Sequence, residues 1–414
     1  MNKKTNIPEI RFKNYRDKWE EKTLKDLSNS IEYGLNSSAT YYDGVHKYIR
    51  ITDIDDNSRK FISEKVTSPD IEFTPELENF KLQKNDLLFA RTGASVGKTY
   101  LYEEKDGEMY YAGFLIRARI KEDVSADFIF QQTLTEKYKQ FIAIASQRSG
   151  QPGVNGKEYG DWKLSSPSFQ EQSAIGSLFR TLDDLLVSYK DNLANYQSLK
   201  ATMLSKMFPK AGQTVPEIRL DGFEGEWKKS KLKDVAHRVQ GNDGRMDLPT
   251  LTISASGGWM NQIDRFSANI AGKEQKNYTL LKKGELSYNH GNSKLAKYGV
   301  VFELQDYEEA LVPKVYHSFR VNQLADAKFI EIMFSTKIPD RELGKLVSSG
   351  ARMDGLLNIS FDDFMNIAIV IPTIEEQQAI GTYFSNLDNL INSHQEKISQ
   401  LETLKKKLLQ DMFI

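Results

Sequence analysis

There is no cysteine among the 414 residues. Disulfides, thiolate metal sites and cysteine nucleophiles are excluded together, and a reducing, cytoplasmic setting fits. The five histidines (His46, His237, His290, His317, His394) show no metal-ligand spacing, so no metal site and no catalytic residue is expected. No apolar run approaches the ~18–20 residues needed to cross a membrane. The stretch Met1 to Arg11 lacks the apolar core of a secretory signal. An excess of one charge is also missing: 56 Lys and Arg stand against 57 Asp and Glu, for a net charge of −1. Nucleic-acid binders are often basic, so this balance argues mildly against one. It leaves room for local patches and for charge supplied by partners in a complex. Composition is otherwise ordinary for globular protein, with 27% charged and 39% hydrophobic residues, and the length suggests two to three domains.

What the sequence does contain is a long-range repeat. Residues 7–26 read IPEIRFKNYRDKWEEKTLKD and residues 215–234 read VPEIRLDGFEGEWKKSKLKD, matching Pro8 to Pro216 and Trp19 to Trp227 at a constant offset. A second pair closes each copy. PSFQEQSAIGSLF from Pro167 onward matches PTIEEQQAIGTYF from Pro372 onward, aligning Glu171-Gln172 with Glu376-Gln377 and Met207-Phe208 with Met412-Phe413. Chance does not give two ungapped matches of this length in the same order. Six residues, Pro209 to Thr214, join the copies, and six residues precede Ile7. Joining the end of copy two to the start of copy one would therefore nearly repeat the spacing. A pseudo-two-fold, circular arrangement is expected, with the ends of the chain close together.

The closing segments carry a 4-3 apolar pattern. In copy one it runs through Leu182, Leu186, Tyr189, Leu193, Tyr196, Met203 and Met207, helped by Leu185 and Leu199. In copy two it runs through Leu387, Ile391, His394, Ile398, Leu401, Leu408 and Met412, with Leu390 and Leu404 on the same side. Two such seams in one chain suit an antiparallel coiled coil between the two helices. The alternative is that each helix packs only on its own domain. A helix of ~34 residues would be ~50 Å long at ~1.5 Å per residue. That is roughly 15 base pairs of duplex at ~3.4 Å each.

Between these shared ends the copies diverge. LLFAR, TYLYEE and FLIRARI in copy one, and VVFEL, VYHSFRV and NIAIVIP in copy two, read as strands. DFIFQQTLTEKYKQFIAIA and AKFIEIMFST read as helical. Each body is thus a mixed α+β domain large enough for its own core. The run Gly93 to Thr99, GASVGKT, has three residues between its glycines where a phosphate-cradling P-loop needs four, and a strand-like TYLYEE follows it. A glycine-bearing loop contacting a DNA backbone or base edge suits it better. Pro69-Asp70 with Glu103 and Lys105 only faintly echoes a nuclease triad.

The order of opening segment, variable body and long helix, twice over, resembles the specificity (S) subunit of type I restriction-modification enzymes. IPEIRF…W and VPEIRL…W, PSFQEQSAIG and PTIEEQQAIG, the heptad helices ending in MF, and the RTGASVGK loop carry the resemblance across essentially the whole chain. It implies two target-recognition domains, 1–166 and 209–371, each reading half of a split DNA sequence. It also implies two helical spacers, 167–208 and 372–414, forming an antiparallel coiled coil that docks two adenine-N6 methyltransferase (M) subunits. A translocating nuclease (R) subunit can join such a complex. S-adenosylmethionine, ATP and Mg then belong to the partners; this chain binds no cofactor and catalyses nothing. The absence of any Pro-Pro pair fits, since the sequence then holds no NPPY- or DPPF-like methyltransferase motif.

For DNA contact three places are favoured in each copy, because arginine can pair with guanine and asparagine or glutamine with adenine, while lysine mostly meets phosphate. In copy one these are Arg91, Thr92, Ser95 and Lys98; Gln147, Arg148 and Gln151; and Tyr41, Tyr42 and Lys47. In copy two they are Asn289, His290, Asn292 and Lys294; Ser349 and Arg352; and Asn242 and Arg245. Ordinary solvated loop polarity is the competing reading of each residue. For the whole chain the rival is a coiled-coil scaffold or adaptor that binds proteins and never touches DNA.

Overall fold

The computed structural model describes residues 7–147, 151–266, 272–291, 293–347 and 356–414. Contacts divide them into two units, one running to Asp191 and including Gln395–Ile414, the other Asn192–His394.

The first unit contains strands β1 (Glu20–Thr23), β2 (Ser28–Tyr33), β3 (Asp86–Ala90), β4 (Thr99–Leu101), β5 (Leu115–Ile120) and β6 (Lys163–Ser166). Its helices include α1 (Ala126–Gln132), α2 (Glu136–Ala145) and the start of α3 (Phe169–Lys206). A four-stranded antiparallel sheet runs β2-β5-β3-β4, and β1 pairs with β6. Strand β3 is buried along its whole length because its alternating side chains enter two cores. Leu87 and Phe89 join a cluster with Trp19, Phe128 and Phe179, while Leu88 and Ala90 join one with Tyr100 and Leu115. The segment expected to be helical from Asp127 to Ala145 is broken in two. The Thr133 N–H bonds back to close α1, and the Thr135 hydroxyl accepts the Tyr138 N–H to open α2. Threonine hydroxyls cap helix ends better than they continue helices.

The second unit repeats the plan with β7 (Lys228–Lys231), β8 (Ala236–Arg238), β9 (Leu286–Asn289), β10 (Val300–Glu303), β11 (His317–Val321) and β12 (Ala368–Ile371). Its sheet runs β8-β11-β9-β10, again antiparallel, and β7 pairs with β12. Helices α4 (Ala327–Ser335) and α5 (Ile374–Asp411) follow.

The repeated motifs turn out to be one clamp built twice. In the first unit the Arg11 guanidinium meets the Glu171 carboxylate two-pronged at 2.7 Å through Nε and Nη2, and Nη2 also donates to the Asp17 carbonyl. In the second, Arg219 meets Glu376 at 2.6–2.7 Å and donates to the Gly225 carbonyl. The next glutamine ties its helix to the unit's α/β body. Gln172 accepts the Ser125 N–H and donates to the Pro167 carbonyl, and Gln377 does the same with Asp326 and Pro372. Gly176 follows because a Cβ there would lie 2.8 Å from the Asp127 side chain. At the far end of each long helix, Phe413 packs on Phe128 and Trp19, and Phe208 on Phe329 and Trp227. The Ile10 N–H donates to the Asp411 carbonyl in the first unit, as the Ile218 N–H donates to the Lys206 carbonyl in the second, each at 3.0 Å. The opening segment near the N-terminus therefore sits against the end of α5, as the circular spacing of the sequence predicts.

Helices α3 and α5 are 38 residues each and form the antiparallel coiled coil. In the first unit Leu182, Leu186, Ile398, Leu401 and Leu408 are buried or half-buried, Asp183 pairs with Lys405, and Lys190 pairs with Glu402. In the second, Leu193, Tyr196, Met203, Leu387 and Ile391 turn inward, Tyr196 meets His394 edge-on, and Lys200 pairs with Asp388. Leu185, Leu199, Leu390 and Leu404 are corrected. They are 39–45% exposed, because one 4-3 stripe fills the seam and these positions lie beside it.

Candidate nucleic-acid interface

Two of the three expected places in copy one come together. Beyond β3 the chain makes a bridge between Thr92 and Gly153, and the Gly93 N–H donates to the Pro152 carbonyl. Gly93 has a φ of +77°, and a Cβ there would press on the Gln151 amide at 3.2 Å. Arg91, Thr92 and Gln151 thus line one cleft of about 880 Å³, together with Tyr33, Asn36 and Phe114. The Arg91 guanidinium lies over the Tyr33 ring, 5.1 Å from its centroid, and 5.9 Å from that of Phe114.

Tyr33 and Phe114 were not among the expected residues. Both are large exposed aromatics, and each adjoins a glycine, Gly34 or Gly113. A Cβ on Gly34 would sit 2.2 Å from the Ala112 carbonyl, so the two segments cross there backbone to backbone. An aromatic beside a glycine in two separate segments is the sequence signal that could have found them.

The second unit has the same bridge, between Gly291 and Leu356. The equivalence is set by hydrogen bonds: the Val154 N–H donates to the Arg91 carbonyl as the Leu357 N–H donates to the His290 carbonyl. His290 thus stands where Arg91 stands, but it is 5% exposed. Its ring nitrogens lie 2.7 Å from the Leu357 carbonyl and 2.8 Å from that of Val315. It stacks on His317, centroids 4.8 Å apart, and burial pushes the His317 imidazole down to about 4.

Several of these residues have partners within the chain itself, and two of them, Lys98 and His290, are buried, which corrects their assignment as DNA ligands. Lys98 is buried, its ammonium donating to the Ile51 and Ile54 carbonyls and pairing with Asp56. His290 is closed as described. Lys47 donates to the Asp106 carbonyl. Arg245 is held by Asp243 and Glu309, which raise its pKa. Asn242 donates to the Arg245 and Gln275 carbonyls. Asn289 accepts the Gly291 N–H. Tyr41, Tyr42, Gln147 and Lys294 are exposed, Tyr41 at 95%. Ser95 is half-buried in the turn after Gly93. Arg148, Asn292, Ser349 and Arg352 lie outside the described residues. Among the described residues no group of three or more His, Cys, Asp or Glu is placed to hold a metal, and no helix is long and apolar enough to cross a membrane.

Comparison with known proteins adds to this. The family model for the type I restriction modification DNA specificity domain matches residues 16–195 and again 224–403. The type I restriction enzyme MjaVIII specificity subunit of Methanocaldococcus jannaschii is 21% identical over 342 residues, 79% of this chain and 78% of that one. The crystal structure of a type I restriction-modification system S subunit from M. genitalium superposes with a TM-score of 0.60 at 13% identity, covering 99% of both chains, so the fold is shared.

Proposed function

Since the chain belongs to the family of type I restriction-modification DNA specificity domains, carrying two copies, we propose that it is the non-catalytic reader of such a complex. Each unit reads one half of a bipartite duplex target. The coiled coil holds the two readers at a fixed spacing and docks the methyltransferase subunits. The observation that carries this reading is the contrast between the repeated clamp and the diverged edge. The Arg–Glu, Gln and Phe contacts recur in both units, while Arg91 and His290 differ at one position. A scaffold with a single kind of partner has no need of two different edges on one frame.

The exposed leucines flanking the seam, Leu185 and Leu404 in the first unit and Leu199 and Leu390 in the second, support partner docking. The test is adenine methylation mapped in the source genome after residues 215–371 are exchanged for another family member's body. One half of the methylated sequence is expected to change and the other to persist. A change in both halves, or methylation independent of this chain, would refute the proposal.

A further inference from the structure

We propose that Arg91 is a specificity-determining residue of the first unit and reads a guanine base edge, with Tyr33 and Phe114 as the residues that position it. This rests on the DNA-reading function proposed above. The backbone at Arg91 is fixed from two directions: its N–H donates to the Phe114 carbonyl at 3.0 Å, and its carbonyl accepts the Val154 N–H at 2.9 Å. The side chain then leaves the sheet edge between two exposed rings. Tyr33 is itself tied down, its hydroxyl accepting the Gly156 N–H at 3.0 Å. Such rings hold a guanidinium through its face and leave its N–H fork for a planar acceptor pair.

The cleft around it decides what that acceptor is. Among the described residues no acidic side chain lines it, and its other arginine, Arg50, is committed to Asp53 at 2.8 and 2.9 Å. The remaining polar lining, Asn36, Ser38, Thr92 and Gln151 among it, is uncharged. Neutral amides and hydroxyls around one oriented guanidinium match a base-pair edge. A phosphate track takes several cations in a row. Guanine O6 and N7 are the two-acceptor edge that an arginine fork fits. The second unit lacks the device, since His290 is turned onto two backbone carbonyls at the same place.

The experiment uses the full chain with its methyltransferase partner and a pool of duplexes randomised in two blocks, from which bound molecules are sequenced. The unaltered complex is expected to enrich a guanine at one position of one half-site. Arg91→Gln and Arg91→Ala should lower that preference roughly 10- to 100-fold and leave the other half-site enriched, which also shows that the variant is folded. Arg91→Lys should keep affinity but not the preference. Tyr33→Leu and Phe114→Leu should weaken it at the same position by less. If Arg91→Gln lowers binding to all sequences alike, Arg91 meets phosphate and the inference fails while DNA reading stands. Unchanged enrichment also overturns the inference. If the unaltered complex enriches nothing, DNA reading itself fails and the inference with it.

Discussion

At one matched position the two units make opposite choices. Arg91 is open, carried by ring faces; His290 is shut, its nitrogens on backbone carbonyls. The strand before it, the bridge after it and the hydrogen bond to its carbonyl are the same in both. The lesson is that the frame does not dictate the edge. A four-stranded antiparallel sheet and the bridge beyond it fix where residue 91 or 290 stands, and the side chain decides whether that place faces a cleft or the core.

The comparison breaks most easily at the clamp, where the units should behave alike. Glu171 and Glu376 are each about 1% exposed, so removing the partner arginine strands a buried carboxylate. Arg11→Met should destabilise the first unit, and Arg219→Met the second, by about 3–5 kcal/mol each. Hydrogen exchange followed separately over the two units reads both. Replacing the carboxylate as well, as Arg11→Met with Glu171→Leu, should recover most of the loss. Unequal losses of several kcal/mol would show that the repeated motifs are not energetically equivalent.

How much of this was legible beforehand follows from distance along the chain. The heptad seam and the repeat are periodic or ungapped, so Leu182, Leu186, Leu387 and Ile391 could be placed from sequence. Arg11 and Glu171 both lie in repeated motifs, yet 160 residues separate them and no local pattern says that they pair. Lys98 reads as a phosphate contact until Ile51 and Ile54, more than 40 residues earlier, supply carbonyls for its ammonium. Arg245 reads as a base contact, and its partner Glu309, 64 residues on, is invisible from the loop that carries it. A cation's loop can be found from sequence; its counter-charge comes from tertiary structure. The leucines beside the seam misread for a simpler reason: helical spacing places them near the stripe, and only packing decides which side of its border they fall on.

Acid should separate the units next. His317 lies across from Tyr288 in the second sheet, where the first sheet sets Ile116 across from Phe89. The folded second unit holds His317 at about 4 against an ordinary 6.5, because burial disfavours the charged ring. Below pH 6.5 the unfolded chain gains a proton that the folded unit refuses until pH 4. Stability from this residue is therefore full above pH 6.5 and falls as pH drops toward 4, by about 1–3 kcal/mol. Denaturant titrations read unit by unit should show this slope in the second unit, and His317→Leu should abolish it. A slope that survives the substitution would assign the acid sensitivity elsewhere.

The smallest effect lies on the coil. Lys190 and Glu402 pair at 2.7 Å in the first unit, while the residues that match them in the other copy of the repeat are Gln395 and Gln197. Both charged side chains are about half exposed, so water and salt screen the attraction and ordering two long side chains offsets most of it. Lys190→Gln with Glu402→Gln makes the first half of the coil read like the second and should shift its stability by less than about 0.5 kcal/mol. The inner pairs are different. Asp183–Lys405 and Lys200–Asp388 occur in both halves, and Asp183 and Lys405 are under 20% exposed. A half-buried polar pair beside an apolar seam fixes which turn meets which. If the Lys190–Glu402 double variant instead loosens the first half by more than 1 kcal/mol, the register depends on surface charge, and the two halves of the coil are set by different means.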